Sequence, residues 1–101
     1  MDMFRPRSDP AQLLYDAFQA EAGNRKGRTV EEWLVAENAA VLRAAETWAA
    51  RHGLTPPTLA QVQAASDYAS GSVDYGAKWA YALARIMTAR GPRAAGASEV
   101  R

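Results

Sequence analysis

One local pattern occurs twice in this chain and fixes where two helices begin. It is a threonine followed three residues later by a glutamate or glutamine, as in Thr29 with Glu32 and Thr58 with Gln61. In such a capping box the threonine hydroxyl accepts a hydrogen bond from the backbone N–H of the third residue. The glutamate or glutamine side chain in turn accepts one from the threonine N–H. The pattern predicts helices that start directly after Thr29 and Thr58.

Glycines and prolines predict where helices end. Gly53 is placed to cap the second helix in the left-handed conformation, and Pro56 and Pro57 prevent that helix from continuing. Gly71, followed by a serine, is expected to break the chain again. A final stop is predicted at Gly91, which precedes a proline.

A first helix is predicted upstream of these segments. Ser8 or Asp9 can act as its N-cap, with Pro10 at the first helical position, and Gly23 ends it. The sequence leaves open whether the third and fourth helices are continuous. The predicted helices cover about residues 9–22, 30–52, 59–70 and 73–90.

Composition favours helices over strands. Alanine accounts for 23 of the 101 residues, whereas isoleucine occurs once. Alanine has the highest intrinsic helix propensity, and β-branched residues are typical of strands. We therefore expect an all-α fold, a compact three- to four-helix bundle formed by a single domain over residues 1–92. Residues 93–101 are rich in Ala, Gly and Arg and are expected to form a disordered tail.

Charge and cysteine content limit the classes of function. A formal net charge of +1 does not indicate a polyanionic partner, and the absence of cysteine excludes disulfides and cysteine-based metal sites. Without a signal peptide or a long apolar run, the chain is expected to be cytoplasmic and to have no membrane partner. The alanine excess, together with arginine at 10 of the 12 basic positions, is typical of a GC-rich bacterial or phage genome.

No catalytic constellation is visible. Glu37 lies in the apolar stripe of the second helix, and His52, the single histidine, lies about 22 Å further along the helix axis at 1.5 Å per residue. Glu37 is therefore predicted to bond a tryptophan indole or to pair with an arginine or lysine at the bundle edge. We expect no enzyme activity, no metal, no cofactor and no small-molecule substrate.

The fourth predicted helix is apolar around more than half of its circumference. One interpretation is that it packs at the centre of the bundle against two neighbours. The other is that one side of it forms a dimer or partner surface, since aromatic residues are enriched in interface cores. The predicted partner-binding residues are Tyr75, Trp79 and Ile86 as an apolar anchor, with Lys78, Tyr81 and Arg85 on the adjoining polar strip.

The segment from Gly53 to Gly91 has the outline of a helix-turn-helix unit, with a short helix, a Ser/Gly turn and a second helix. It is similar in outline to the helix-turn-helix of LexA-type winged repressors, a resemblance that implies DNA reading by the second helix. This chain departs from that pattern at Asp74 and Tyr75, where Arg, Asn or Gln would reach base edges. No wing sequence follows Gly91.

Two functions of different classes remain as predictions. The first is a small non-enzymatic helical protein-interaction or adaptor module that self-associates as a homo-oligomer. The alternative is a small helix-turn-helix-like DNA-binding regulator or DNA-packaging accessory protein, in which exposed basic residues would contact phosphates. Candidates for those nucleic-acid contacts are Arg25, Lys26, Arg28, Arg90 and Arg93.

Overall fold

A computed structural model of the chain describes residues 10–90 and contains four α-helices in this part. The predicted all-α fold is confirmed, and the helix ends that lie before Arg90, the last described residue, are within two residues of their predicted positions. The stop predicted at Gly91 lies outside the described residues. The predicted N-cap at Ser8 or Asp9 and the predicted tail over residues 93–101 lie outside the described residues. The helices are α1 (Ala11–Ala22), α2 (Val30–Arg51), α3 (Leu59–Ala69) and α4 (Tyr75–Arg90).

Both predicted capping boxes are present. The Glu32 backbone N–H donates to Thr29 Oγ1 at 3.1 Å, and the Thr29 N–H donates to Glu32 Oε1 at 2.8 Å. The same two bonds join Thr58 and Gln61 at 3.1 and 2.9 Å. Because each box satisfies two otherwise unpaired N–H groups, α2 and α3 begin where the sequence places them.

The helix ends follow the predicted glycines. Gly53 has a φ of 67°, the left-handed conformation expected directly after α2. Gly71 has a φ of 86° and lies in the turn after α3. Because residues 70–74 form a non-helical connection, α3 and α4 are separate helices.

Each helix packs against two others. α1 contacts α2 and α4, and α3 also contacts α2 and α4, so that α2 and α4 occupy opposite corners of the bundle. The core between the helices contains these buried hydrophobic residues: Leu14, Phe18, Val41, Ala45, Trp48, Ala49, Val62, Ala65, Ala69, Trp79, Ala80, Leu83, Ala84 and Met87. No helix within residues 10–90 combines the length and the hydrophobicity that crossing a lipid bilayer demands.

The inner face of α4 fills the centre of this core. Trp79 is 1% exposed, and its indole N–H donates to the carbonyl oxygen of Val62 on α3 at 3.1 Å. On the other side, the Phe18 ring of α1 packs edge-on against Trp79 with ring centroids 5.5 Å apart. Gly76 lies directly against Phe18, which lets α1 approach α4 closely. These contacts confirm that α4 packs in the bundle against two neighbours.

Candidate interaction surface

The outer face of α4 carries a strip of exposed polar and aromatic side chains. Lys78, Tyr81 and Arg85 are all exposed, and Tyr81 retains 58% of its accessible surface. Their spacing of three and four residues places them on one side of the helix. Since the inner face of the same helix is buried against α1 and α3, the strip lies between those two helices on the outside of the bundle.

Two grooves flank this strip. The groove between α1 and α4 has a volume of about 810 Å³, and the groove between α3 and α4 has a volume of about 550 Å³. Lys78 and Tyr81 line both grooves. Each groove is lined by two tyrosines, but the α3–α4 groove is the more basic of the two. It is lined by Ala64, Ala65, Tyr68, Lys78, Tyr81, Ala82, Arg85 and Ile86.

The shape of the α3–α4 groove follows from the sizes of the side chains that line it. Alanines at positions 64, 65 and 82 leave the floor low, whereas Tyr68 from α3 and Tyr81 from α4 are large and project from either side. Tyr68 is 65% exposed, and Lys78 Nζ lies 4.8 Å from the centroid of its ring. This cation–π contact links α3 to α4 across the groove.

The groove has a positive electrostatic character. Of the described residues that line it, Lys78 and Arg85 are cationic and none carries a carboxylate. An apolar floor between two tyrosines and two cations fits a partner that combines apolar side chains with carboxylates.

The structure divides the predicted partner-binding residues between two locations. Lys78, Tyr81 and Arg85 lie together on the outer strip, and the half-buried Ile86 lines the α3–α4 groove. Tyr75 and Trp79 instead lie within the bundle. The Tyr75 hydroxyl is hydrogen-bonded to Ser66, and its ring packs against Phe18 and Trp79. The surface therefore lacks the predicted aromatic anchor at Tyr75 and Trp79.

Sequence reasoning missed Tyr68, the most exposed aromatic side chain of the groove. This residue lies outside the apolar stripe that α3 directs into the core. Its position three residues after the buried Ala65 was the available signal, because an aromatic residue just beside a buried stripe lines the edge of the helix contact.

Two of the predicted nucleic-acid contacts within residues 10–90 are engaged in ion pairs. Arg25 is bound to Glu37, and Arg28 Nη1 pairs with Glu21 at 2.9 Å. Lys26 is exposed in the same connection between α1 and α2. Of the remaining two, Arg93 and the Arg90 side chain lie outside the described part of the structure.

Glu37 is paired as predicted. Its carboxylate is completely buried and accepts two hydrogen bonds from the Arg25 guanidinium, at 2.6 and 3.0 Å. The guanidinium also lies 3.8 Å from the centroid of the Trp33 ring. The hydrogen bond to Glu37 raises the pKa of Arg25, and this effect is larger than the lowering of the pKa by burial. The stabilisation that follows from this raised pKa is fully present at pH values below the pKa of Arg25 in the unfolded chain. It is lost only in strongly alkaline solution, as the pH rises through the pKa of Arg25 in the folded protein.

His52, the single histidine of the sequence, is held by contacts with Trp48. His52 stacks on the Trp48 ring with centroids 4.1 Å apart, and its Nδ1 lies 2.8 Å from the Trp48 carbonyl oxygen. Both contacts are at the C-terminal end of α2. Among residues 10–90, no group of three or more His, Asp or Glu side chains is arranged to hold a metal ion.

Comparisons with protein-family models, with curated proteins and with solved structures gave no match for this chain. The outline similarity to winged repressors thus depends only on the succession of α3, the turn over residues 70–74 and α4.

Proposed function

We propose that this protein is a non-enzymatic interaction module that binds another protein through the α3–α4 groove. The observation that carries the proposal is the pairing of Tyr68 and Tyr81, both more than half exposed, across an alanine floor. Tyrosine and arginine are over-represented among the residues that contribute most to protein–protein affinity, and Arg85 completes this set.

The dimensions of the groove favour a helical partner segment. From Lys78 to Ile86 the α4 side of the groove extends about 12 Å, at 1.5 Å per residue, which corresponds to just over two helical turns. A partner helix can place apolar residues on the floor at positions i, i+3 or i+4 and direct polar residues towards the cations. Because the groove is formed by two packed helices, little backbone ordering accompanies binding.

Site-specific photo-crosslinking tests the proposal. A photoreactive phenylalanine analogue replaces Tyr81 in one variant and Thr47, an exposed residue of α2, in a matched control. In cells that produce the chain, we expect a discrete protein adduct from position 81 that is absent from position 47. Adding Arg85→Glu should reduce that adduct. If position 81 gives no protein adduct, or one that Arg85→Glu leaves unchanged, the proposal is wrong.

DNA binding is the second candidate, favoured by the position of Lys78, Tyr81 and Arg85 on the outer face of the helix that follows the turn. Light scattering with a random duplex at low salt separates the two candidates. A gain in mass that falls steeply with added salt and is lost in Arg85→Glu would support DNA binding. A mass that does not change with the duplex would remove this candidate.

A further inference from the structure

The first two turns of α2 carry two exposed valines on different sides of the helix. Val30 and Val35 are 58% and 70% exposed, although valine in a helix is usually directed into the core. A shallow depression beside Val35 is lined by Arg28, Glu31, Glu32, Val35 and Ala36. The single cation of this set, Arg28, is paired with Glu21. We refer to Glu31, Glu32, Val35 and Ala36 as the α2 surface.

The α2 surface and the α3–α4 groove are chemically complementary. The α2 surface joins apolar side chains to two carboxylates, whereas the groove joins an apolar floor to Lys78 and Arg85. Glu32 already accepts a hydrogen bond from the Thr29 N–H, so Glu31 is the carboxylate better placed to pair with a cation outside its own chain. Glu31 and Val35 are four residues apart and share one side of α2.

We propose that a second copy of this chain docks its α2 surface into the α3–α4 groove. This inference rests on the proposed function and identifies the partner helix as α2 of another copy. Val35 covers the alanine floor between Tyr68 and Tyr81, and Glu31 pairs with Lys78 or Arg85. The docking helix is already folded and capped, so binding orders side chains and leaves the backbone unchanged.

The fold makes this contact heterologous. Because α2 and α4 occupy opposite corners of the bundle, the two complementary surfaces lie on different sides of one molecule. Each docking event therefore leaves one free groove and one free α2 surface in the complex. Assembly continues head to tail until the chain of copies closes into a ring or extends as a filament.

Two variants that each damage one surface test the proposal. The groove variant carries Lys78→Glu with Arg85→Glu, and the α2 variant carries Glu31→Gln with Val35→Gln. The control is Glu46→Gln, an exposed carboxylate of α2 outside the α2 surface. Circular dichroism establishes that all three keep the helical content of the unmodified chain. Sedimentation velocity then measures mass for each purified protein from micromolar to millimolar concentration.

The unmodified chain and the control should grow in mass with concentration beyond a dimer, and each surface variant should weaken self-association at least tenfold. An equimolar mixture of the two variants should form a heterodimer that grows no further, because only one intact groove and one intact α2 surface remain to meet. Self-association that either surface variant leaves intact, or a mixture in which no heterodimer forms, would overturn the head-to-tail contact.

The outcomes separate this inference from the proposed function. If the unmodified chain stays monomeric to millimolar concentration while position 81 crosslinks to a different protein in cells, docking between copies is wrong and the interaction function stands. If neither self-association nor any protein adduct at position 81 is found, both proposals fail.

Discussion

The inner and outer faces of α4 differ in burial although they belong to the same 16-residue helix. On the inner face, Trp79 and Leu83 are at most 1% exposed and are fixed by contacts with neighbouring helices. On the outer face, Tyr81 is 58% exposed. Folding of the described bundle depends on the first face and makes little use of the second. The difference implies that stability and the binding proposed for the outer face can be changed independently on one helix.

The connection between α1 and α2 shows the same contrast in its two ion pairs. Arg25 reaches inward to Glu37, whose side chain is 0% exposed, whereas Arg28 pairs with the partly exposed Glu21. Removing the partner of a carboxylate that is buried away from water lowers the free energy of unfolding strongly, whereas removing the partner of a solvated carboxylate changes it little. Four substitutions test this inner and outer division.

The largest effect is expected at Trp79. Trp79→Ala removes a buried indole, opens a cavity and leaves the Val62 carbonyl without its hydrogen bond. The free energy of unfolding should fall by about 3–5 kcal/mol, a large part of the stability of a small domain. Urea denaturation monitored by circular dichroism measures the change. A loss below about 1 kcal/mol would contradict the packing of α4 described above.

The second effect concerns the inner ion pair. Arg25→Ala leaves Glu37 buried without a partner and should lower the free energy of unfolding by about 2 kcal/mol, less than for a fully buried pair because Arg25 is partly exposed. Arg28→Ala is the matched control and should cost less than about 0.5 kcal/mol. The double variant Arg25→Met with Glu37→Met should recover most of the loss. If Arg25→Ala and Arg28→Ala lowered the free energy of unfolding equally, the inner and outer ion pairs would not differ in their contribution to stability.

A smaller loss is expected at Gly76. A Cβ atom at this position would lie 2.6 Å from Phe18 Cδ2, and Phe18 is held by aromatic neighbours. Gly76→Ala should therefore cost about 1 kcal/mol net, as overpacking outweighs the gain in helix propensity. Gly23→Ala is the control, because a Cβ atom at Gly23 would lie 3.6 Å from the carbonyl oxygen of Ala20, an ordinary contact distance. Thermal denaturation of both variants measures the two losses. A Gly76→Ala protein as stable as the unmodified chain would show that α1 can move away from α4.

The smallest effect on stability is expected on the outer face. Tyr81→Ala should change the free energy of unfolding by less than about 0.5 kcal/mol, since exposed side chains make few contacts within the fold. The same urea titration used for Trp79→Ala measures it. A loss above about 1 kcal/mol would mean that Tyr81 supports the fold and that its exposure has another cause.

Most of the fold could be predicted because its signals are local. The capping boxes at Thr29 and Thr58 join residues three apart, and the left-handed Gly53 needs no distant partner. The sequence determines the packing of α4 less well than it determines the helix ends. A helix that is apolar around most of its circumference does not reveal which side meets its neighbours, so Trp79 and Tyr81 could not be separated by periodicity alone.

The surface was harder to predict because its parts come from different helices. Tyr68 and Tyr81 become neighbours only when α3 packs on α4, and no sequence spacing encodes that contact. Arg25 was grouped with other basic residues for the same reason. Its partner Glu37 lies on the next helix, beyond the reach of the i, i+4 rule that identifies pairs within one helix.

The three tryptophans give this molecule a set of built-in optical reporters. The Trp79 indole is enclosed in the core, Trp33 lies beneath the Arg25 guanidinium, and Trp48 is stacked on the His52 imidazole. Because indole emission responds to its surroundings, chains that keep Trp79 with one or neither of the other two tryptophans would separate core opening from release of the inner ion pair and from fraying of the end of α2. The α3–α4 groove is lined by none of the three tryptophans, so a partner that brings a tryptophan into it would add a fourth signal.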